Sequence, residues 1–160
     1  MKVLRSLLSV AVLGSMIAFT GCGSKGGNQE PLSDKQLGLL SKTWKVKDVL
    51  LGGADSTSHW SNFKLTIAGT KGQPTSFTYT CTGRPPRSVW PASGTWTFGD
   101  GDPSTPDDPA TQILRDDGAQ ITYTVDPASA NLQLRFTFSG AGYTRVNNVS
   151  GAWTFDLIPN

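Results

Sequence analysis

Histidine and cysteine are scarce in this chain, which has one histidine and two cysteines among 160 residues. A zinc site draws most of its ligands from these residue types, and a catalytic triad needs a base with a partner that orients it. His59 has no such partner close by in sequence, and neither H-E-x-x-H nor G-x-S-x-G occurs. The sequence therefore predicts a protein that is not an enzyme, has no cofactor and has no zinc site.

Charge is also sparse, since charged residues make up 16% of the chain. Lys2 and Arg5 lie before a long uncharged stretch, and their removal from the 14 basic residues leaves 12, equal to the 12 acidic residues. A protein that binds nucleic acid normally carries a basic excess. The charge count therefore excludes nucleic acid as an expected partner.

A spanning hydrophobic run is missing, because the first apolar stretch covers only residues 7–20. Fourteen residues fit the h-region of a signal peptide, whereas a membrane-spanning helix needs roughly 20. The stretch ends in Phe19-Thr20-Gly21-Cys22, which resembles the bacterial lipobox. That resemblance implies a lipoprotein signal peptide over residues 1–21, cleavage before Cys22, and acylation of Cys22, for example with palmitate. The alternative is a secreted protein with an incidental cysteine.

The Gly-rich segment after Cys22 predicts a flexible tether over residues 22–32, followed by one domain over residues 33–160. Ser33 or Asp34 is expected to cap a short helix. If Cys22 carries lipid, Cys81 has no partner for a disulfide, and its alternation with aromatic residues predicts a small buried hydrophobic side chain.

Apolar and polar residues then alternate through most of the chain, which is typical of strands with one buried face. The alternation predicts eight strands over residues 44–50, 63–67, 77–81, 94–98, 112–114, 121–125, 132–138 and 152–158. Mostly short turns and no long helix favour antiparallel pairing. The expected fold is all-β, an eight-stranded antiparallel up-and-down barrel, with a sandwich of two four-stranded sheets as the alternative.

Short motifs in these strands resemble a known family. The motifs are "LLSKTWKV", "SGTWTF", "ILRDDG", "LQLRFTF" and "SGAWTFDL". Together with the leader they are similar to lipocalin-like lipoprotein domains of Bacteroidota, which have a calycin-type barrel. The likeness implies an envelope protein, outer-membrane anchoring through lipid, and a ligand in the barrel. Lys42 stands where lipocalins have the glycine of G-x-W, and no cation follows Ser150, so the helix is expected to cover Trp44.

Alternate loops of an up-and-down barrel share one end, which brings aromatic and cationic residues together there. The predicted ligand-binding residues are His59, Trp60, Arg84, Arg87, Trp90, Tyr143 and Arg145. Such a set suits an amphipathic molecule with an anionic head, or a stacked sugar. The alternative is that the tryptophans only cover the barrel end and the arginines are solvated.

Two further segments have two interpretations each. Asp100, Asp102, Asp107 and Asp108 lie in one loop that either binds calcium or is simply solvated, the second being favoured. Asp55-Ser56-Thr57 resembles the O-glycosylation acceptor of Bacteroidota, although a plain turn is the default.

The sequence thus predicts a lipid-anchored, non-catalytic lipocalin-like barrel of the bacterial cell envelope that binds a small apolar or amphipathic molecule. It leaves open the leaflet, the oligomeric state and whether a pocket exists. The alternative function is a filled barrel that serves as a structural or interaction module and binds a protein or glycan. Five tryptophans could fill a small barrel, which favours that alternative.

Overall fold

The computed structural model describes residues 29–73, 77–86, 88–99, 108–128, 130–140, 142 and 149–160. Its elements in chain order are the helix α1 (Leu32–Leu40), β1 (Thr43–Leu51), β2 (Ala54–Asp55), one turn of 3-10 helix (Thr57–Trp60), β3 (Lys64–Ala68), β4 (Phe77–Thr82), β5 (Ser93–Phe98), β6 (Gln112–Arg115), β7 (Gln120–Asp126), β8 (Asn131–Phe138) and β9 (Gly151–Pro159).

The strands form one closed antiparallel barrel. Neighbouring strands pair in chain order from β3 to β9, and β1 pairs with β3 on one side and with β9 on the other. Val49 lies opposite Phe155 at the closing seam, and Trp44 lies opposite Leu65 at the other edge of β1. The two-residue β2 pairs with the end of β1, outside the ring of eight. The predicted eight-stranded up-and-down barrel is confirmed.

Alternation along each strand separates the core from the surface. On β4, Phe77, Tyr79 and Cys81 are buried, while the threonines between them are exposed. Each predicted strand is present, and its bounds differ from the predicted ones by at most one residue at either end. The inward side chains form one hydrophobic core that fills the barrel.

Strand β1 contains a break in this alternation. Its pairing with β9 shifts between Val46 and Asp48, which is a β-bulge at Lys47. A bulge places two residues of one strand opposite one residue of its partner and changes the side-chain alternation. Trp44 and Val49 can therefore both point inward although they are an odd number of residues apart.

The helix α1 closes one end of the barrel. Its own residues Leu37 and Leu40 are buried against the barrel. The indole Nε1 of Trp44 donates a hydrogen bond to the carbonyl oxygen of Leu40 at 2.9 Å. Lys42 Nζ lies 5.0 Å from the centre of the Trp44 ring. Trp44 is thus covered by the helix, as predicted. We call this the helix end, and the opposite one the loop end.

The start of the helix differs from the prediction. Helix α1 begins at Leu32 after Pro31, and no side chain caps it, so the prediction that Ser33 or Asp34 is the cap is wrong. Asp34 instead accepts a hydrogen bond from the backbone N–H of Gly72 at 2.9 Å. Pro31 occupies the N-cap position, and its side chain has no oxygen that could accept a hydrogen bond from the first turn.

Candidate ligand site at the loop end of the barrel

The described parts of the segments that join β1 to β3, β4 to β5, β6 to β7 and β8 to β9 lie at the loop end, as the up-and-down topology requires. A β-carbon added to Gly142, after β8, would lie 2.9 Å from the carbonyl oxygen of Ser88, before β5. These two segments therefore touch. The loop end is built from several connections that are far apart in sequence.

Tryptophan side chains from two of these connections fill the end of the barrel. Trp60 is 1% exposed, and its ring meets Phe155 and Trp153 edge to face at centroid distances of 4.8 and 5.5 Å. Trp90 is 3% exposed and meets Phe136 in the same way at 5.5 Å. Aromatic contacts of this kind add about 0.5–1.5 kcal/mol each beyond the burial of their area.

The segment that carries Trp90 is held by three side chains from different positions. Arg84 Nη1 donates to the carbonyl oxygen of Trp90 at 3.1 Å, and Ser88 Oγ donates to the same oxygen at 2.9 Å. Arg115 Nη1 donates to the carbonyl oxygen of Val89 at 3.2 Å. These hydrogen bonds fix the loop so that the Trp90 indole points into the barrel.

Arg115 is a buried cation that the sequence analysis did not single out. Its guanidinium forms an ion pair with Asp117, with Nε 3.0 Å from Oδ1, and its Cζ lies 4.6 Å from the centre of the Trp90 ring. Ile113 points inward on the same strand, so the period of two would have predicted that Arg115 also points inward.

Little space is left inside the barrel. A cavity of about 20 Å³ lies among nine residues: Leu65, Ile67, Tyr79, Trp90, Trp96, Ile113, Arg115, Ile121 and Leu134. That volume can hold about one water molecule. Within the described part of the chain, the buried Nε1 of Trp90 has no hydrogen-bond acceptor. This cavity among the described residues is too small for an organic ligand.

A larger pocket of about 370 Å³ opens to solvent at the loop end. The described residues that line it are Leu51, Ser56, His59, Trp60, Pro85, Pro86, Val149 and Trp153. Most of these side chains are apolar, whereas Ser56 and His59 carry polar groups. Small-molecule sites commonly have volumes of about 300–1,000 Å³ and combine apolar walls with a few polar groups. The pocket therefore has the size and lining of a small-molecule site.

The predicted ligand-binding residues fall into three groups. His59 and Trp60 line the loop-end pocket. Arg84 and Trp90 belong to the adjoining packed loop, where Arg84 Nη1 donates a hydrogen bond to the Trp90 carbonyl oxygen. Arg87, Tyr143 and Arg145 lie outside the described residues. Leu51 and Trp153 were missed because they lie near strand ends, where alternation does not show which inward residues border an opening, and Val149 was missed because it precedes β9 in a connecting segment.

The segment Asp55-Ser56-Thr57 is a hydrogen-bonded turn beside this pocket. Asp55 Oδ1 accepts from the backbone N–H of Thr57 at 2.9 Å, and Thr57 Oγ1 accepts from the N–H of Val49 at 2.9 Å. The backbone N–H of Ser56 donates to the carbonyl oxygen of Val49 at 2.8 Å. The turn places Ser56 at the pocket, and it gives Thr57 Oγ1 a structural role.

Two side chains elsewhere that could react or bind a metal ion, Cys81 and Asp108, are buried or hydrogen-bonded. Burial raises the pKa of the Cys81 thiol to about 12, which leaves it protonated at neutral pH. Hydrogen bonds from Thr111 and from the Ala110 backbone lower the pKa of Asp108. Asp100, Asp102 and Asp107 lie outside the described residues. In the part of the chain that is described, no three His, Cys, Asp or Glu side chains are grouped to hold a metal ion.

Comparison of this chain with protein families, with curated proteins and with solved structures finds no match. No helix in the described ranges has both the length and the apolar character needed to cross a membrane. The fold defines the chain as a closed, eight-stranded, antiparallel up-and-down barrel with one short helix at its N-terminal side, compatible with a lipocalin-like fold. Such a barrel is compatible with ligand binding.

Proposed function

We propose that this protein is a non-catalytic lipoprotein of the bacterial cell envelope that binds a small amphipathic molecule in the loop-end pocket. The observation that carries the proposal is the pocket itself, with a volume of about 370 Å³ at the end of the barrel. Leu51, Val149 and Trp153 provide apolar walls, and His59 and Ser56 provide hydrogen-bonding groups. A ligand with an apolar body and one polar group would match this lining.

The filled interior moves the proposed site from the inside of the barrel to its rim. Trp60 and Trp90 are buried in the end of the barrel, and the cavity of about 20 Å³ beside Trp90 is too small for a ligand. Trp60 belongs to both the core and the pocket, because its side chain is buried in the barrel end and also lines the pocket. The rim site is supported by an open pocket of about 370 Å³, whereas an interior site would require the aromatic residues to move.

Lipid attachment at Cys22 is part of the same proposal. Cys22 lies outside the described residues, and its assignment depends on the leader and the lipobox-like junction. The described chain begins at Gln29 and enters helix α1 at Leu32, at the helix end of the barrel. A tether at that end is attached opposite the loop-end pocket and does not cover it. In this arrangement the pocket faces the aqueous phase.

The filled interior also favours a second candidate function, a structural or interaction module that binds a protein or glycan. Under this function the loop-end pocket is a surface depression without a resident ligand. The barrel core would serve only to hold the outer surface in shape. The two functions differ in whether the protein retains a small molecule.

Native mass spectrometry of the full protein, extracted from its own host in mild detergent, tests the proposal. Ser56→Trp fills the pocket, and Ser58→Trp is the matched control on the same helical turn, at an exposed residue that is not among the described lining. We expect a bound small molecule in the wild type and in Ser58→Trp, and its loss in Ser56→Trp. A molecule retained equally by all three proteins would contradict the rim site. A ligand-free wild type would support the second candidate function.

Lipid attachment has its own test with a matched cysteine control. We expect a palmitate probe fed to the host to label the wild type and Cys81→Ser, and to leave Cys22→Ser unlabelled. Cys22→Ser should also leave the membrane fraction, because two acyl chains are needed for stable anchoring. Labelling or membrane retention of Cys22→Ser at the wild-type level would contradict lipid attachment at Cys22.

A further inference from the structure

The outer wall of the barrel over β7, β8 and β9 carries two parallel rows of polar side chains. Thr122, Arg135 and Thr154 lie opposite one another in the first row. Thr124, Gln133 and Asp156 lie opposite one another in the second. Side chains directly opposite each other on one face of a sheet have β-carbons about 4.5–5.5 Å apart. We call these six residues the polar wall.

Two shallow depressions lie along the polar wall. The first has a volume of about 570 Å³ and contains the row of Arg135. The second has a volume of about 310 Å³ and contains the row of Gln133. Gly118, Ala119 and Ala152 border the first depression, and their lack of bulk leaves space beside the longer side chains.

The charges on the polar wall are unequally distributed. Arg135 is exposed, and none of the ion pairs between described residues includes it. Asp156 Oδ1 accepts a hydrogen bond from Gln133 Nε2 at 2.7 Å, which fixes both side chains in one orientation. The first row thus presents a cation with flanking hydroxyls, and the second row presents an oriented amide and carboxylate.

This arrangement fits a polyol with an anionic group. The planar guanidinium of arginine binds carboxylate, sulfate or phosphate with two parallel hydrogen bonds. Threonine hydroxyls and glutamine amides both donate and accept hydrogen bonds, as sugar hydroxyls require, and an ionised aspartate accepts them. Lys47 and Asp126 also line the second depression, so it has two carboxylates against one cation. This net negative charge disfavours a second anion, and the second row therefore suits neutral hydroxyl groups.

A protein partner fits this surface poorly. An extended peptide adds to an exposed strand edge, but β7, β8 and β9 are paired on both sides in the closed barrel. An amphipathic helix needs an apolar groove, and the six outward side chains of the polar wall are all polar or charged. The barrel therefore offers this partner class neither an edge nor an apolar anchor here.

We propose that the polar wall binds an acidic saccharide, with its anionic group on Arg135 and neutral hydroxyl groups on Gln133 and Asp156. The site is separate from the loop-end pocket and does not depend on the function proposed for it. The anionic group is a carboxylate, a sulfate or a phosphate, since all three share the oxyanion geometry that arginine recognises.

The test is an NMR titration of the full chain, ¹⁵N-labelled and held in mild detergent, with four probes. These are an oligogalacturonate, a sulfated oligosaccharide, a neutral oligosaccharide of similar length, and inorganic sulfate. We expect the amide signals of Thr122, Arg135 and Thr154 to shift with at least one acidic oligosaccharide. The dissociation constant for that oligosaccharide should be at least tenfold lower than for the neutral one. Tighter binding of the oligogalacturonate would indicate that Arg135 prefers a carboxylate, and tighter binding of the sulfated oligosaccharide would indicate that it prefers a sulfate.

Arg135→Gln should weaken this binding at least tenfold, because it removes the charge from an exposed position without disturbing the core. Lys64→Gln is the matched control, an exposed cation on β3 away from the polar wall, and should leave binding unchanged. Thr154→Val should weaken binding severalfold by removing one hydroxyl group at nearly constant shape.

Three results would overturn the proposal. The first is the absence of shifts on the polar wall with either acidic oligosaccharide. The second is binding of inorganic sulfate as tight as that of the saccharides, which would mean that the sugar contributes nothing. The third is an equal loss of affinity in Lys64→Gln and Arg135→Gln, which would indicate general charge attraction.

Discussion

Arg115 lies over the indole of Trp90, with its Cζ 4.6 Å from the ring centre, and its guanidinium also holds the carbonyl oxygen of Val89. One side chain therefore positions both the ring that fills the barrel and the backbone that carries it. This contact links a residue in the β6–β7 hairpin to the loop between β4 and β5. It explains how a loop residue becomes part of the barrel core.

Truncation of Trp90 should reopen the interior. Trp90→Ala removes a side chain that is 3% exposed and should cost about 3–5 kcal/mol in the free energy of unfolding. Trp90→Phe should cost less, because it also removes the buried Nε1 that has no acceptor among the described residues. Urea unfolding followed by circular dichroism measures both values. A loss below 1 kcal/mol in Trp90→Ala would contradict the packing described here.

Removing one partner of the buried Arg115–Asp117 ion pair should destabilise the protein more than replacing both partners. The Arg115 side chain is 1% exposed, so Asp117→Asn leaves a buried cation without its counter-ion and should cost about 3–5 kcal/mol. The double variant Arg115→Met with Asp117→Asn should recover part of this loss, since the charge itself is gone. Urea unfolding of both single variants and of the double variant measures the coupling energy. Additive losses would mean that the ion pair does not couple the two residues.

The barrel should lose stability in alkali. Burial raises the pKa of Cys81 to about 12, against about 8.5 in an unfolded chain, so between these values the unfolded chain has released a proton that the folded chain retains. Stability then falls as pH rises, by about 1.4 kcal/mol per pH unit for this group. Burial raises the pKa of Tyr79 and Tyr123 as well, which steepens the fall above about pH 10.

Cys81→Ala isolates the contribution of the thiol. Free energies of unfolding at pH 8.0, 9.5 and 10.5 should fall more steeply for the wild type than for Cys81→Ala. The two tyrosines are present in both proteins and cancel in the comparison. Parallel pH profiles for the two proteins would mean that the Cys81 thiol ionises as readily in the folded chain as in the unfolded one.

Thr57 should matter for folding and not as a glycan acceptor. Its Oγ1 accepts a hydrogen bond from Val49 N–H at 2.9 Å, so Thr57→Val should cost about 1 kcal/mol. The intact mass of the protein from its own host should show no sugar at Thr57. A hexose mass that disappears in Thr57→Val would contradict the turn interpretation, whereas Ser58→Ala serves as the control for neighbouring hydroxyl groups.

The strands could be predicted because alternation is a local signal. The least regular stretch, residues 44–50, is irregular for a structural reason, since the bulge at Lys47 interrupts the period of two. The cap of helix α1 was mispredicted because Pro31 and the contact of Asp34 with Gly72 decide the first turn, and that contact joins residues 38 positions apart. Local sequence does not contain it.

The site was harder to predict for the same reason. The topology correctly brought His59 and Trp60 to one end of the barrel, but it could not show that Trp90 points inward and that Arg84 is used to hold its backbone. Both facts depend on packing between loops. The loop-end pocket is a space between Leu51, Val149 and Pro85, which come from three distant segments, and no short motif encodes such a space.

The central claim is that a ligand occupies the loop-end pocket while the interior stays filled, and the indole N–H signals of the tryptophans test it most directly. Trp60 and Trp153 line the pocket, Trp90 lies in the interior and Trp44 lies at the helix end. In an NMR titration of the full chain with decanoate, an amphipathic probe, we predict shifts of the Trp60 and Trp153 signals with little change at Trp90 and Trp44. The largest shift at Trp90, or no shift at Trp60 and Trp153, would contradict the claim.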